Sequence, residues 1–154
     1  MVSLVDFFKG NENALNDGSW IFSGSALFRE EKAKKKLKNA IDSYANNGGD
    51  PSWDEPLVLV DSTVFGSASD GIFIGASEIH AKGFMEEPVH FQVSEITSFW
   101  IDVNERKINI NGKAVSYFHS ELTPYMEVIK KIIGAYIEAV KDEGVLKKYQ
   151  YELR

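Results

Sequence analysis

Between Leu57 and Phe118 the chain breaks into seven short strand candidates separated by Gly, Asp and Asn turns, and from about Thr123 to Asp142 it becomes one amphipathic helix. Strands joined by short turns pair antiparallel, whereas a parallel sheet requires strands alternating with helices. The expected fold class is therefore α+β: a seven-stranded antiparallel sheet or barrel, closed by one C-terminal amphipathic helix and preceded by N-terminal helices.

Two hairpins give the expected register. Asn111-Gly112 lies between Lys107–Ile110 and Lys113–Tyr117, and Asn-Gly supplies the two positive φ angles of a type I′ turn. A two-residue turn pairs Ile110 with Lys113 and Ile108 with Val115, so Ile108, Ile110, Val115 and Tyr117 share one face. In the second hairpin, a three-residue Met85-Glu86-Glu87 loop sets Ala81 opposite Phe91 and Ile79 opposite Val93. His80 then faces Gln92 and Lys82 faces His90 on the outer side. In the following strand Phe99, Ile101 and Val103 alternate inward, and Trp100 and Asp102 point out.

Leu57–Val60 and Gly71–Ile74 are continuously apolar, the pattern of strands covered on both faces. The cover is sought before the linker Asn46–Ser52, where Pro51 disfavours helix in the preceding residue. That placement divides the chain into a helical extension, 1–50, and a domain, 51–154. Within the extension Ser3 caps a short turn that Gly10 ends, and a longer helix is expected from about Leu27 to Tyr44. Ala33, Leu37, Ala40, Ile41 and Tyr44 fall on one stripe, with Lys32, Lys34, Lys35, Lys36 and Lys38 on the other face. The lysine run is read as a solvated face, because Glu30 and Glu31 precede it. The closing helix has Thr123 as cap, Pro124 in its first turn and Gly144 as terminator. Beyond it, Val145–Arg154 either continues as helix or lies along the sheet.

No apolar run approaches the roughly 20 residues of a membrane span. Asp6 interrupts the apolar start, and the basic residues of a secretory signal are missing there. The chain has no cysteine, which fits a reducing cytoplasm and removes thiolate chemistry. The net charge of −6 is concentrated in residues 48–104, where Lys82 stands alone against ten carboxylates. Such a region repels phosphate, so a basic protein partner is expected in place of a nucleic acid.

Seven antiparallel strands and one closing helix resemble the pleckstrin-homology-like superfold, including GRAM and bacterial PH-type domains. The run His90–Phe99 is similar to the segment of those domains in which a strand leads through a polar turn to an Ile. The Lys107–Phe118 hairpin and the helix follow in the same order, so the resemblance covers Asp54 to about Lys141. It implies a non-catalytic binding module for phosphoinositides, peptides or protein surfaces. Phosphoinositide-binding relatives carry basic side chains around the loop between the first two strands. Here that loop, Gly66-Ser67-Ala68-Ser69-Asp70-Gly71, has no Lys or Arg, a departure that argues against phosphoinositide binding.

The same loop leads into a strand and lacks the Gly-Lys-Ser/Thr of a phosphate-binding loop, so it is read as a turn. His80 and His90 lie on diagonal outer positions about 7–8 Å apart; with Glu78 they make an incomplete zinc set, and an exposed polar strand face is preferred. His119 belongs to the turn before the closing helix. No Gly-x-Ser-x-Gly elbow ties a serine to a histidine. The adjacent pairs Asp54/Glu55 and Glu86/Glu87 do not converge as acid and base would. Trp100 is either an outward interface anchor beside Asp102 or a side chain packed beneath the N-terminal helices.

The expected function is thus a cytoplasmic, non-enzymatic interaction module, with Trp100, Asp102, Glu86, Glu87, His80 and His90 as partner-binding candidates and no cofactor or metal. The alternative is an acidic inhibitor or immunity-type protein that binds a basic target through steered association. An enzyme with a site invisible in the sequence ranks below both.

Overall fold

The structure, a computed structural model, describes residues 20–23, 26–46, 56–63, 66–75, 78–92, 95, 98–102, 104–117 and 150–153. The expected C-terminal helix, the 3–10 turn, His119 and most of the linker lie outside them. The fold class is α+β. Nine strands are described: β1 (Ile21–Ser23), β2 (Pro56–Asp61), β3 (Gly71–Gly75), β4 (Glu78–Lys82), β5 (Val89–Gln92), β6 (Ser98–Asp102), β7 (Lys107–Ile110), β8 (Lys113–Tyr117) and β9 (Gln150–Leu153). Two helices, α1 (Ala26–Arg29) and α2 (Glu31–Ser43), lie between β1 and β2.

The seven expected strands correspond to β2 through β8, but they do not form a single sheet among the described residues. A five-stranded antiparallel sheet runs β1-β2-β3-β4-β5, and a second sheet runs β8-β7-β6-β9. The segment expected as a purely helical extension supplies β1, which pairs antiparallel with β2 through Phe22 and Leu59. Of the two alternatives for the tail, the strand is the one found: β9 runs parallel to β6, with Phe99 opposite Tyr151.

Chain order explains the first sheet, because each of its strands pairs with its neighbour in sequence. Leu59 stands opposite Phe73, and Phe73 opposite His80, so a row of residues crosses one face. On that face lies α2, whose Ala33 and Ala40 are buried with Tyr44 just past its end. They close with Phe22, Leu27, Leu59 and Phe73 into one cluster. Side chains of this size contribute about 1.5–3 kcal/mol each on burial, before entropy is subtracted. The opposite face carries Val58, Val60, Ile72 and Ile74, also buried, and β8 of the second sheet touches β3 and β4. Both faces of β2 and β3 are therefore covered, as their continuous apolarity required.

Three local expectations are corrected. The single helix from Leu27 to Tyr44 is two, because Glu30 is extended (φ −87°, ψ 125°) and restarts the chain as α2. The Asn111-Gly112 turn has the positive φ angles expected, 52° and 81°. Ile110 pairs with Lys113, but the register then shifts and Ile108 meets Ser116, not Val115. An extra residue in β8 is accommodated there as a bulge. Finally, Ile79 pairs with Phe91 and His80 with His90, a displacement of two positions from the expected β4–β5 register. The cause is the turn: Glu86 N–H donates to Gly83 O at 3.1 Å, so the chain reverses at Phe84-Met85 and not at Met85-Glu86-Glu87.

Candidate functional site

The expected outer face of β4 is an interior face. His80 is 2% exposed and Glu78 is buried, since α2 and its C-terminal turn cover this side of the sheet. The reading of an exposed polar strand face fails at His80 because the β4 positions continue the row set by Leu59 and Phe73. Period-two alternation separates two faces, but it does not say which of them meets water.

Polar groups consequently line the seam between sheet and helix. Lys36, expected on the solvated lysine face, turns inward and pairs with buried Asp61 at 2.6 Å. Its Nζ also sits 5.4 Å from the Trp20 ring and 5.6 Å from Phe22. Asp61 accepts from Thr63 N–H at 2.9 Å, and Lys82 donates to Asp70 at 2.5 Å. His80 Nε2 lies 2.8 Å from Glu78 Oε2, whose partner oxygen accepts from the Gln92 amide. His80 Nδ1 lies 3.2 Å from the Tyr44 carbonyl. Burial, the largest cause, lowers the His80 pKa against the opposing pull of Glu78. Burial likewise raises the Tyr44 phenol well above its usual range, helped by Asp61 and Asp70.

The acidic block is therefore less of a surface than the sequence count suggests, since Asp61, Asp70 and Glu78 are buried. Lys32, Lys34, Lys35 and Lys38 are exposed, as a solvated face requires. The loop from Gly66 to Asp70 packs on α2: Asn39 donates to Ser67 O at 2.8 Å and Ser43 to Ser69 O at 2.7 Å.

The six candidates occupy three places. His80 and His90 stand opposite each other with rings stacked at 5.3 Å, His80 inside and His90 exposed. Glu86 ends the β4–β5 turn and Glu87 follows it, Glu86 half-buried over Gly83 and Glu87 exposed. Trp100 and Asp102 lie on β6 in the other sheet. Trp100 is half-buried, set between Asn109 of β7 and Glu152 of β9 in register. Asp102 accepts from Glu105 N–H at 3.0 Å and so caps the turn before β7.

Two residues outside the six candidates stand out. Phe84 and Met85, at the tip of the β4–β5 turn, are 78% and 86% exposed. Met85 has φ +59° at the turn's third position, which normally goes to Gly or Asn. The signal was present as two apolar residues between Gly83 and the pair Glu86-Glu87. The expected Met85-Glu86-Glu87 loop hides it, because that loop leaves Phe84 at the end of the strand.

Among the described residues no group of three or more His, Asp or Glu is placed to hold a metal ion, and no helix is long and apolar enough to cross a membrane. No protein-family model matches the chain, and no solved structure matches it.

Proposed function

We propose that the protein is a non-enzymatic binding module of pleckstrin-homology-like layout that grips a protein partner with the tip of its β4–β5 hairpin. The observation that carries this reading is Met85. Its apolar side chain is almost fully in water, and its backbone is held in a left-handed conformation that costs about 1–2 kcal/mol outside Gly. Folding favours neither, and residues held at such cost cluster where function requires them. Phe84 beside it is equally open, and large apolar side chains of this kind form the anchors of interfaces. Glu86 and Glu87 adjoin the pair, so the fitting partner offers an apolar pocket with a basic rim.

The carboxylates also support a second reading, an acidic inhibitor or immunity-type protein in which charge dominates association. Salt separates the two: an apolar anchor holds as ionic strength rises, whereas a steered acidic inhibitor loses affinity steeply. The test places a photo-crosslinking residue at position 84 and identifies the protein captured. Phe84→Asn combined with Met85→Gly should then abolish binding of that protein without lowering the melting temperature. Undiminished binding by the double variant would overturn the reading.

A further inference from the structure

We propose that His80, Glu78 and His90 form an acid-sensitive joint between the β4–β5 hairpin and the C-terminal end of α2. This inference is independent of what the hairpin tip binds. Its basis is a proton count. His80 Nδ1 faces the Tyr44 carbonyl at 3.2 Å and Nε2 faces Glu78 Oε2 at 2.8 Å, so both ring nitrogens meet acceptors. A neutral imidazole has one N–H and fills one of these contacts. A second proton fills both, but it places a cation in the seam between helix and sheet, directly beneath the His90 ring.

The surroundings decide which state the fold prefers. From β4 itself comes Glu78, and from β5 come His90 and the Gln92 amide that already occupies the other Glu78 oxygen. From β3 the Phe73 ring meets His80 edge-on at 6.1 Å. From the end of α2 comes Tyr44, on which Asp61 and Asp70 act. Those two carboxylates are paired with Lys36 and Lys82, which leaves Glu78 as the principal anion for a charged His80. Burial outweighs that single anion and His90 adds to the disfavour, so the folded state resists the second proton. The unfolded chain does not resist it. The unfolded state therefore binds more protons below the ordinary histidine pKa of about 6.5, and stability must fall as pH falls through that range. His90 stands in solvent above the buried ring and opposes a cation on it. The parts that should part first are the two that His80 joins.

Amide hydrogen exchange of the full chain at about pH 7.5 and about pH 5, which bracket the histidine range, tests the joint. Protection should be lost on acidification at residues 44–46 and 78–92 while 58–60 hold theirs. His80→Gln should remove the pH dependence of that loss. His90→Ala, at an exposed position, should reduce it because His90 no longer opposes a cation on His80; this variant serves if His80→Gln does not fold. Equal protection at both pH values, or an undiminished acid loss in both variants, would overturn the proposal.

Discussion

Lys36 Nζ and Asp61 Oδ2 are 2.6 Å apart with both side chains inside the protein, and their contact fastens the middle of α2 to the end of β2. The other Asp61 oxygen accepts from both the N–H and the hydroxyl of Thr63. Removing one member leaves a buried charge without its counterion, a change that typically costs about 3–5 kcal/mol. Lys36→Met should lower the unfolding free energy by that amount in a urea titration. Lys36→Met with Asp61→Leu should lose clearly less, because no charge is then stranded.

Gly71 opens β3 with φ +147°, and a Cβ there would stand 2.0 Å from the Val60 carbonyl oxygen. Backbone cannot swing aside as a side chain tip can. Gly71→Ala should cost about 3 kcal/mol or more, at the upper end of backbone-strain effects. At Gly112 a Cβ meets nothing within 4 Å, although φ is +81°. Gly112→Ala should cost only the conformational penalty, about 1–2 kcal/mol. Thermal melts of the two variants side by side check the ordering.

The Tyr44 hydroxyl is buried and has no hydrogen-bond partner among the described residues. An unsatisfied buried group costs about 1–3 kcal/mol, so Tyr44→Phe should stabilise the fold by roughly 1 kcal/mol or more. The phenol's raised pKa gives a second signature. Above about pH 10 the unfolded chain releases this proton and the folded one keeps it, so stability falls as pH rises. Denaturant midpoints between about pH 8 and about pH 11 should show that fall in the parent protein and a smaller one in Tyr44→Phe.

Met85→Gly should move stability and binding in opposite directions. Glycine accepts the left-handed φ without the strain that methionine bears there. The variant should gain about 0.5–1 kcal/mol in unfolding free energy. Its affinity for the partner captured at position 84 should drop, since the exposed thioether is lost. A calorimetric titration with that partner gives the second half of the comparison.

The sequence made some of this fold legible because certain signals are local. Asn111-Gly112 located its turn, and the continuous apolarity of Leu57–Val60 and Gly71–Ile74 announced cover on both faces. What stayed hidden depended on distant partners. Trp20-Ile21-Phe22 is too short to read as a strand until β2 is beside it. Lys36 belongs with the core-facing positions 33, 37, 40 and 44 by helical spacing, yet five lysines in seven residues read as one charged face. Placing it inside requires knowing that Asp61 is waiting on β2. Alternation puts His80 on the face opposite Ile79 and Ala81, but which face meets solvent is settled by α2. The hairpin tip was obscured by a shift of two positions, which preserves every face assignment and is therefore invisible to the hydrophobic pattern.

The order β1-β2-β3-β4-β5 also bears on how the molecule assembles. Because every strand of that sheet pairs with its successor, it can grow by zippering as the polypeptide emerges during synthesis, with each new strand docking on the one before it. The junction of β6 with β9 has no such neighbour to wait beside; it must search across the intervening chain, and loop closure makes that the slower event. The first sheet can thus stand as a template before the second is complete.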